Sequence, residues 1–353
     1  MFDNISVRAG SKAIQIIQDE GLDPARIKVV AGASGSAKFL VLTGIDRVLV
    51  SLFKDRTTPL YLLGTSIGAF RMAAFCQEDP LEAIGRLEQE YIEQQYSLKP
   101  TRQDVTLETR RILDAYIDDE KIPAMLHHPF MKINFLSNRC KGLLKQEQLI
   151  LQWAGLALAA GVNLLSRNSL GYFLERALFS GPGNRPPFAP MDQFPMNHYD
   201  LTPANFKEAL LSSGSIPVAM EGVSNINGAP GVFRDGGILD YHLDIPFLPE
   251  SDGLVLYPHF YQTITPGWFD KGLHRNPSSK NMENVVLVAP SNQFVKSLPL
   301  GKIPDRKDFM AFKGKDAERK ALWRIVIEQN KILGDEFFEA VQSGKISQIV
   351  QPL

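Results

Sequence analysis

The sequence predicts an α/β layer fold, and three observations support this prediction. Short apolar runs typical of buried strands alternate with longer runs that have helical spacing. Turn signals such as Gly21 and Asp23-Pro24 separate neighbouring runs. The chain of 353 residues is 44% hydrophobic and 22% charged, as expected of a globular protein with one large or two ordinary domains.

The individual elements follow from these patterns. A helix is predicted over residues 5–20, with Gly21 as its stop. Strands are predicted near residues 27–31, 60–63, 132–136, 232–234, 253–257 and 284–289. Further helices are predicted at about 37–51, 67–77, 80–96, 105–118, 203–213 and 315–342, and Thr202-Pro203 is a typical helix start.

Two segments between these elements need separate interpretation. Residues 177–200 contain Gly-Pro-Gly-Asn-Arg-Pro-Pro, which predicts a long irregular surface loop near the active-site mouth. Residues 149–165 are the most apolar stretch, but Gln152 and Asn163 interrupt it, and a membrane span needs about 20 apolar residues. We therefore expect either a buried helix or a lid or docking helix that meets lipid.

The strongest motif lies in residues 60–77, which hold the only Gly-x-Ser-x-Gly of the chain. Ser66 is its central serine, and Gly64 and Gly68 supply the space that a tight turn between a strand and a helix requires. Such a turn lifts the hydroxyl clear of the sheet, and the start of the following helix favours negative charge. Ser66 is therefore the candidate nucleophile.

A nucleophilic serine needs a base, and the sequence offers two kinds. His242, His259 and His274 follow late enough for the chain order of an α/β-hydrolase triad, but none lies in a signature. Asp235 ends a short apolar run and is followed by Gly236 and Gly237. Taken alone, Asp-Gly-Gly is also typical of a hairpin turn whose glycines have positive φ angles.

Read together, Gly-Thr-Ser-Ile-Gly and the later Asp-Gly-Gly resemble the motifs of the patatin-like phospholipases. The resemblance implies a three-layer α/β fold, with a central mostly parallel sheet flanked by helices. It also implies a lipid acyl hydrolase in which Asp235 activates Ser66 directly, without a histidine, a cofactor or a metal. Residues 206–218, with their Ser-x-x-Ile-Pro turn, resemble the helix and turn before the aspartate strand of that family.

The same resemblance assigns the oxyanion hole to a glycine-rich loop after the first predicted strand. The amides of residues 32–36 would supply it, with Gly32, Ala33, Ser34 and Gly35 as the small residues at the right place. This loop departs from the family pattern of three glycines followed by a basic residue, and Lys38 is the nearest cation. Backbone amides need no particular side chain, so the prediction of a hole is kept.

The resemblance covers roughly residues 27–245 and predicts one domain over residues 1–353. Its core is expected at about 27–260, with a helical insertion at about 140–200 and a C-terminal helical extension at about 300–353. Other classes stay open: a serine esterase with a histidine triad, an acyltransferase, and a binding protein that has lost catalysis. A dinucleotide-binding dehydrogenase is disfavoured, because the glycine loop has neither dinucleotide nor P-loop spacing.

The composition limits the classes of partner that this protein is expected to bind. The 38 basic and 39 acidic residues give a net charge of −1 without a basic block, so no nucleic-acid partner is expected. Cys76 and Cys140 lack metal-ligand spacing, which predicts reduced thiols and no structural zinc. The first residues do not resemble a signal peptide, so we expect a cytoplasmic enzyme that contacts membranes peripherally to reach lipid or acyl-ester substrates. The sequence leaves the oligomeric state open.

Overall fold

The protein is built around one mixed sheet in the computed structural model, which describes residues 2–183, 185–191, 193–273 and 275–353. The strands in these residues are β1 (Ile5–Ala9), β2 (Ile27–Gly32), β3 (Leu60–Thr65), β4 (Met131–Cys140), β5 (Leu174–Ser180), β6 (Met196–Asp200), β7 (Val223–Ile226), β8 (Ala229–Asp235), β9 (Leu254–Pro258), β10 (Val285–Pro290) and β11 (Gln351–Pro352). They are ordered β11-β1-β10-β9-β2-β3-β4-β5-β6, and β8 pairs with both β4 and β7.

Helices flank this sheet and connect its strands. The α-helices of the described residues are α1 (Ser11–Glu20), α2 (Thr43–Leu52), α3 (Ile67–Phe75), α4 (Pro80–Ile92), α5 (Arg102–Tyr116), α6 (Ile122–Leu126), α7 (Leu149–Leu165), α8 (Phe206–Gly214), α9 (Ser279–Met282), α10 (Asn292–Ser297), α11 (Asp308–Ala311), α12 (Asp316–Gln342) and α13 (Ile346–Ile349). None of these helices is long and apolar enough to cross a membrane.

The centre of the sheet is parallel, which confirms the predicted α/β fold class. Strands β10, β9, β2, β3 and β4 are successive parallel neighbours. Antiparallel pairs occur at the flanks, where β1 joins β10 and where β4 joins both β5 and β8. Every residue of β10 is buried, as expected for a parallel strand that is covered on both faces.

Three predictions of local structure are wrong. Residues 5–9 form a strand in place of the start of a helix, because Ile5, Val7 and Ala9 alternate with partly exposed residues. The predicted helix at 37–51 is divided into a 3-10 helix at Ser36–Val41 and α2.

The predicted surface loop at 177–200 is the third error. Its ends belong to β5 and β6, which extend the sheet beyond β4. Phe188, Met191 and Phe194 within it are buried, and none of its described residues lines the two cavities next to Ser66. The Pro-rich composition correctly indicated irregular backbone, but only between the two strands. The buried side chains of Phe188, Met191 and Phe194 anchor that backbone to the core.

The long helix α12 packs directly on α2. A Cβ placed on Gly334 would lie 2.3 Å from the carbonyl oxygen of Gly44, so the two helix backbones are in contact. The Asn330 side chain accepts a hydrogen bond from the Gly44 amide at 2.8 Å and donates one to Thr43 Oγ1 at 3.0 Å. The division of the chain into a core, an insertion and an extension stays a prediction.

Helix α7 is buried on one side only. Gln152 and Leu156 are buried, and the Gln152 side chain accepts a hydrogen bond from the Val218 amide at 2.5 Å. Ile150, Trp153 and Leu158 on the same helix are 83%, 57% and 55% exposed. The helix thus has one buried face and one exposed apolar face.

Candidate active site

Ser66 lies in a strained turn between β3 and α3. Its φ and ψ angles are 53° and −128°, a backbone conformation that residues with a side chain rarely adopt. Strand β3 ends at Thr65 and α3 begins at Ile67, so Ser66 alone makes the connection. This is the strand-turn-helix geometry in which a nucleophilic serine is presented above a sheet.

The flanking glycines are required by close backbone contacts. A Cβ on Gly64 would lie 2.4 Å from the Ala69 nitrogen, and one on Gly68 would lie 2.1 Å from the carbonyl oxygen of Gly32. The first contact joins β3 to α3, and the second joins α3 to the end of β2. The predicted role of Gly64 and Gly68 agrees with this geometry, because any larger residue would push the three elements apart.

Asp235, at the end of β8, lies within hydrogen-bond distance of Ser66. Ser66 Oγ donates a hydrogen bond to Asp235 Oδ2 at 2.9 Å, although the two residues are 169 positions apart. The other carboxylate oxygen, Oδ1, accepts a hydrogen bond from the Gly237 amide at 2.7 Å. Both side chains are buried, with 5% of Ser66 and 6% of Asp235 exposed.

Burial changes the acidity of this carboxyl group. Loss of hydration raises the pKa of Asp235 to about 6, and the hydrogen bonds from Ser66 and Gly237 oppose this shift. A carboxylate with this pKa is mostly ionised at neutral pH and is a better proton acceptor than an ordinary one. These are the properties expected of a general base that acts near neutral pH.

The glycines of Asp-Gly-Gly serve close packing and not a hairpin turn. Neither Gly236 nor Gly237 has a positive φ angle. A Cβ on Gly236 would lie 2.2 Å from the carbonyl oxygen of Leu136, and one on Gly237 would lie 2.4 Å from Ser34 Oγ. The two glycines thus let Asp235 lie against β4 on one side and against the predicted oxyanion loop on the other.

Only some of the residues that were predicted to form the oxyanion hole face Ser66 from that loop. Gly32 still belongs to β2, and the Ser34 amide donates a hydrogen bond to the carbonyl oxygen of Tyr241 at 3.0 Å. Ser34, Gly35 and Ser36 line a cavity at Ser66, whereas Gly32 and Ala33 do not. In the described part of the chain the Gly35 amide has no hydrogen-bond partner, so it is available to donate one.

In the described residues no histidine side chain forms a hydrogen bond with Ser66 or lines a cavity next to it. His242 Nδ1 accepts a hydrogen bond from the Thr265 amide at 2.8 Å, and His259 Nδ1 lies 2.6 Å from the carbonyl oxygen and 3.0 Å from the amide nitrogen of Tyr261. Burial lowers the pKa of both rings, that of His259 to about 3. Neither ring lines a cavity at Ser66, and His274 lies outside the described residues.

Two cavities meet at Ser66. The first, which we call the polar cavity, has a volume of about 160 Å³, and its wall includes Asp235, Gly35 and Tyr241. The second, the apolar cavity, has a volume of about 370 Å³, and its wall includes Phe70, Ile112 and Met220. Both cavities are also lined by Ser36 and Ile216, so the serine lies at their junction.

Comparison with known proteins identifies no family. No family model and no curated protein matches the chain. Among solved structures, VipD from Legionella pneumophila aligns with 68% of this chain and 51% of its own, at 12% identity and a TM-score of 0.31. The aligned part is thus about half of the VipD chain, and the assignment of a function depends on the geometry of the site.

Sequence reasoning missed two residues that hold the site together. Ser213 Oγ accepts a hydrogen bond from the Ser66 amide at 2.8 Å and donates one to the carbonyl oxygen of Leu136 at 2.7 Å. Asn138 Nδ2 donates hydrogen bonds to the carbonyl oxygens of Asp235 and Gly236 at 2.7 and 3.1 Å. Ser213 falls within the 206–218 stretch that carried the resemblance, whereas Asn138 has no local signal.

The thiols and carboxylates of the described residues form no metal centre. Cys76 and Cys140 are free and buried, as the reduced-thiol prediction requires, and burial raises the pKa of each to about 12. In the described residues no group of three or more histidine, cysteine, aspartate or glutamate side chains is arranged to hold a metal ion.

Proposed function

We propose that this protein is a serine acyl hydrolase that cleaves carboxylic esters of lipids, with Ser66 as nucleophile and Asp235 as base. The hydrogen bond of 2.9 Å between Ser66 Oγ and Asp235 Oδ2, formed at a strained strand-to-helix turn, is the observation that carries the proposal. A buried serine and a buried carboxylate paired in this way match the nucleophile and base of covalent ester cleavage. The patatin-like assignment from the sequence is retained as part of this proposal.

The reaction follows from the positions of these groups. Asp235 accepts the proton of Ser66 as Oγ bonds to the ester carbonyl carbon, and the carbonyl oxygen becomes an oxyanion. Asp235 then returns the proton to the alcohol oxygen as the carbon-oxygen bond breaks, which leaves an acyl-enzyme. Water next attacks the acyl carbon and gives its proton to Asp235. Release of the carboxylic acid restores both residues when the proton returns to Ser66.

The amide of Gly35 is our leading oxyanion donor. Gly35 and Ser36 line the cavity that contains Ser66 and Asp235. A Cβ on Gly35 would lie 2.5 Å from the Phe260 ring, so glycine is needed for the loop to pack in this position. A preorganised amide donor stabilises a developing oxyanion by about 3 kcal/mol or more in comparable sites.

The apolar cavity supports a lipid acyl chain as the acid part of the ester. Its wall is formed mainly by apolar side chains of α3, α5 and the segment after α8, and it opens onto Ser66. A chain of methylene groups gains about 0.8 kcal/mol for each group that it buries there. Acyl transfer to an alcohol other than water would use the same site, and analysis of the products distinguishes the two reactions.

We also propose that the exposed face of α7 contacts lipid, which is one of the two interpretations that its sequence allows. Trp153 and Ala157 on α7 form a second apolar hollow with Trp268, and Trp268 also lines the polar cavity. The exposed apolar face of the helix is thus continuous with the entrance to Ser66. A lipid surface suits this face, because the proposed substrate would be drawn from it.

A fluorophosphonate probe tests the proposed chemistry. We expect the wild-type protein to be labelled on Ser66, as peptide mapping would establish, and Ser66→Ala to lose both labelling and ester hydrolysis. The substitution removes one hydroxyl group, so circular dichroism and the melting temperature should show a folded protein. A folded Ser66→Ala variant with undiminished turnover would contradict the assignment, and a wild-type protein that resists labelling would favour a binding protein.

A further inference from the structure

A second strained residue lines the cavities at Ser66. Ser36 has a φ angle of 54°, in the left-handed region that residues with a side chain rarely adopt. It directly follows Gly35 and begins the 3-10 helix Ser36–Val41. Such a conformation costs free energy, so it persists only where neighbouring groups hold it in place. The contacts of Ser36 therefore show what fixes the proposed oxyanion loop.

The side chain of Tyr91 on α4 holds Ser36. Ser36 Oγ lies 2.7 Å from the Tyr91 hydroxyl oxygen, and this hydrogen bond joins residues that are 55 positions apart. Tyr91 is only 9% exposed, and burial raises the pKa of its hydroxyl group, which therefore stays protonated at neutral pH. In the described residues the Ser36 side chain forms no other hydrogen bond. Its orientation thus depends on Tyr91.

Tyr91 is itself fixed by aromatic neighbours on two other elements. Its ring packs edge-on against Phe39, with 5.0 Å between the ring centres, and stacks on Trp323 with 6.2 Å between the ring centres. Phe39 belongs to the same 3-10 helix as Ser36, and Trp323 belongs to α12. Aromatic pairs prefer such geometries, so these two neighbours restrict the ring. The Tyr91 hydroxyl is therefore presented to Ser36 from a fixed position.

This hydrogen bond lies where it can act on the proposed oxyanion donors. Ser36 lines both cavities at Ser66, whereas Tyr91 lines only the apolar one. In the described part of the chain the Ser36 amide, like that of Gly35, has no hydrogen-bond partner. Two neighbouring amides are thus available to an oxyanion, and the strained backbone at Ser36 fixes how they are directed.

We propose that Tyr91 is a positioning residue, because its hydroxyl holds Ser36 in the conformation in which the amides of Gly35 and Ser36 stabilise the oxyanion. This inference rests on the proposed function, since it requires an oxyanion to form at Ser66. Tyr91 acts through Ser36 and not on the reacting atoms. Donors that meet the oxyanion only in the transition state raise kcat without tightening the binding of the substrate. Loss of the Tyr91 hydroxyl should therefore lower kcat and leave KM unchanged.

The Tyr91→Phe variant tests this inference, because it removes the hydroxyl and keeps the ring. With p-nitrophenyl butyrate as substrate, we expect kcat to fall about tenfold or more at an unchanged KM, since complete loss of one oxyanion donor costs about 100-fold or more. A fluorophosphonate should finally label as many sites as in the wild type, but more slowly, because its phosphonyl oxygen takes the place of the oxyanion. A wild-type kcat, or a raised KM with an unchanged kcat, would overturn the proposal.

The matched control is Tyr116→Phe, which also removes a buried tyrosine hydroxyl. Tyr116 donates a hydrogen bond to the carbonyl oxygen of Phe70 at 3.2 Å, and it lines neither cavity. We expect a lower melting temperature, as for other buried hydrogen bonds, with kcat per labelled site unchanged. An equal fall of kcat in Tyr91→Phe and Tyr116→Phe would show a general loosening of the protein and would refute a positioning role.

Variants of Ser36 test the same hydrogen bond from its other end, and they serve even if Tyr91→Phe fails to fold. Ser36→Ala and Ser36→Gly both lose the bond, but only glycine adopts a positive φ angle without strain. We expect Ser36→Ala to lose about as much kcat as Tyr91→Phe, and Ser36→Gly to retain several-fold more. The double variant Tyr91→Phe/Ser36→Ala should be no slower than either single variant, because both remove one shared bond. Fully additive losses, or equal kcat for the alanine and glycine variants, would contradict the proposal.

Failure of the proposed function has a different signature in these measurements. A wild-type protein that neither hydrolyses the ester nor reacts with the fluorophosphonate would refute the function, and the role of Tyr91 with it. Wild-type turnover that Tyr91→Phe leaves unchanged would refute only the role of Tyr91.

Discussion

At the scale of single residues, Asp235 has to be ionised to accept a proton, yet the protein buries it. Burial raises its pKa to about 6, which places an unfavourable charge in the folded protein at neutral pH. Lys271 and Arg306 are the charged groups that oppose this shift from across the cavity, and both favour the carboxylate. The proposed base thus has a cost in stability.

We expect Asp235→Asn to reduce ester turnover nearly as much as Ser66→Ala, because the two residues act as one unit. The same variant should be more stable than the wild type above about pH 6. The carboxyl pKa is raised in the folded state, so its contribution to stability is complete at low pH and is lost as the pH rises through about 6. Thermal melts at mildly alkaline pH should reveal a gain of about 1–3 kcal/mol.

A control for this prediction comes from the same measurement at low pH. Below about pH 4 the wild-type carboxyl group is protonated in both states, and the difference between the two proteins should vanish. A variant that is less stable at every pH would mean that favourable interactions of the carboxylate in the folded protein outweigh the cost of burying it. A variant that retains turnover would exclude Asp235 as the base.

The pH dependence of turnover tests the same group in the wild-type protein. With a neutral ester, kcat/KM should fall as the pH decreases through about 6, since only the ionised Asp235 accepts the serine proton. The buried His242 and His259, whose pKa values are lowered, should add no step near neutral pH. An acid limb centred clearly above pH 7 would contradict Asp235 as the titrating base.

At the scale of secondary structure elements, α7 offers a test in which its two faces respond differently to charge. Leu156 is 4% exposed and belongs to a small apolar cluster under the helix, whereas Leu158 is 55% exposed. Leu156→Asp should destabilise the protein by about 2–5 kcal/mol or more, as loss of a buried leucine does. Leu158→Asp should leave the melting temperature unchanged but weaken co-sedimentation with liposomes.

The matched control for the exposed face is Leu107→Asp on α5, because Leu107 is also 55% exposed and the substitution adds the same charge. Liposome binding by this variant should equal that of the wild type. Equal weakening in both variants would show that added negative charge alone reduces binding. Undiminished binding by Leu158→Asp would exclude α7 as the lipid-contacting helix.

At the scale of the whole molecule, helix α12 completes the core. Gly334→Ala should lower the stability by about 1–3 kcal/mol, because its Cβ would meet the Gly44 backbone at 2.3 Å and overpacking has costs of this size. Gly161→Ala on α7 is the control, since no atom lies within 4 Å of its Cβ position. That substitution should stabilise the helix by about 0.5–1 kcal/mol. Equal melting temperatures would show that α12 packs loosely.

The sequence predicted what is encoded locally. The turn at Ser66 and the Asp235 strand end were identified because close packing restricts neighbouring positions to glycine, and that restriction is visible as a motif. The fold class followed from the alternation of apolar patterns. Strand β1 was missed because its five alternating residues are followed directly by a helix. Strands β5 and β6 were missed because the prolines between them made the whole segment resemble a loop.

Most of the site residues that the sequence did not predict are brought to the site only by the tertiary structure. Asn138 supports the backbone of Asp235 across 97 positions, and Lys271 reaches the polar cavity from a segment with no motif. Nothing in their local sequence distinguishes these residues from ordinary polar residues. The hydrogen bond between Tyr91 and Ser36 became visible only when the chain was folded.

The proposed acyl-enzyme fixes the order in which the products depart, and the two cavities at Ser66 give each product its own place. In the proposed reaction the released alcohol lies in the polar cavity after acylation, while the acid stays covalently attached in the apolar one. The alcohol therefore leaves first to admit water, and the free acid leaves last, as in ping-pong kinetics. Steady-state inhibition should show this asymmetry. The fatty acid should compete directly with the ester, whereas the alcohol should lower the maximal rate as well.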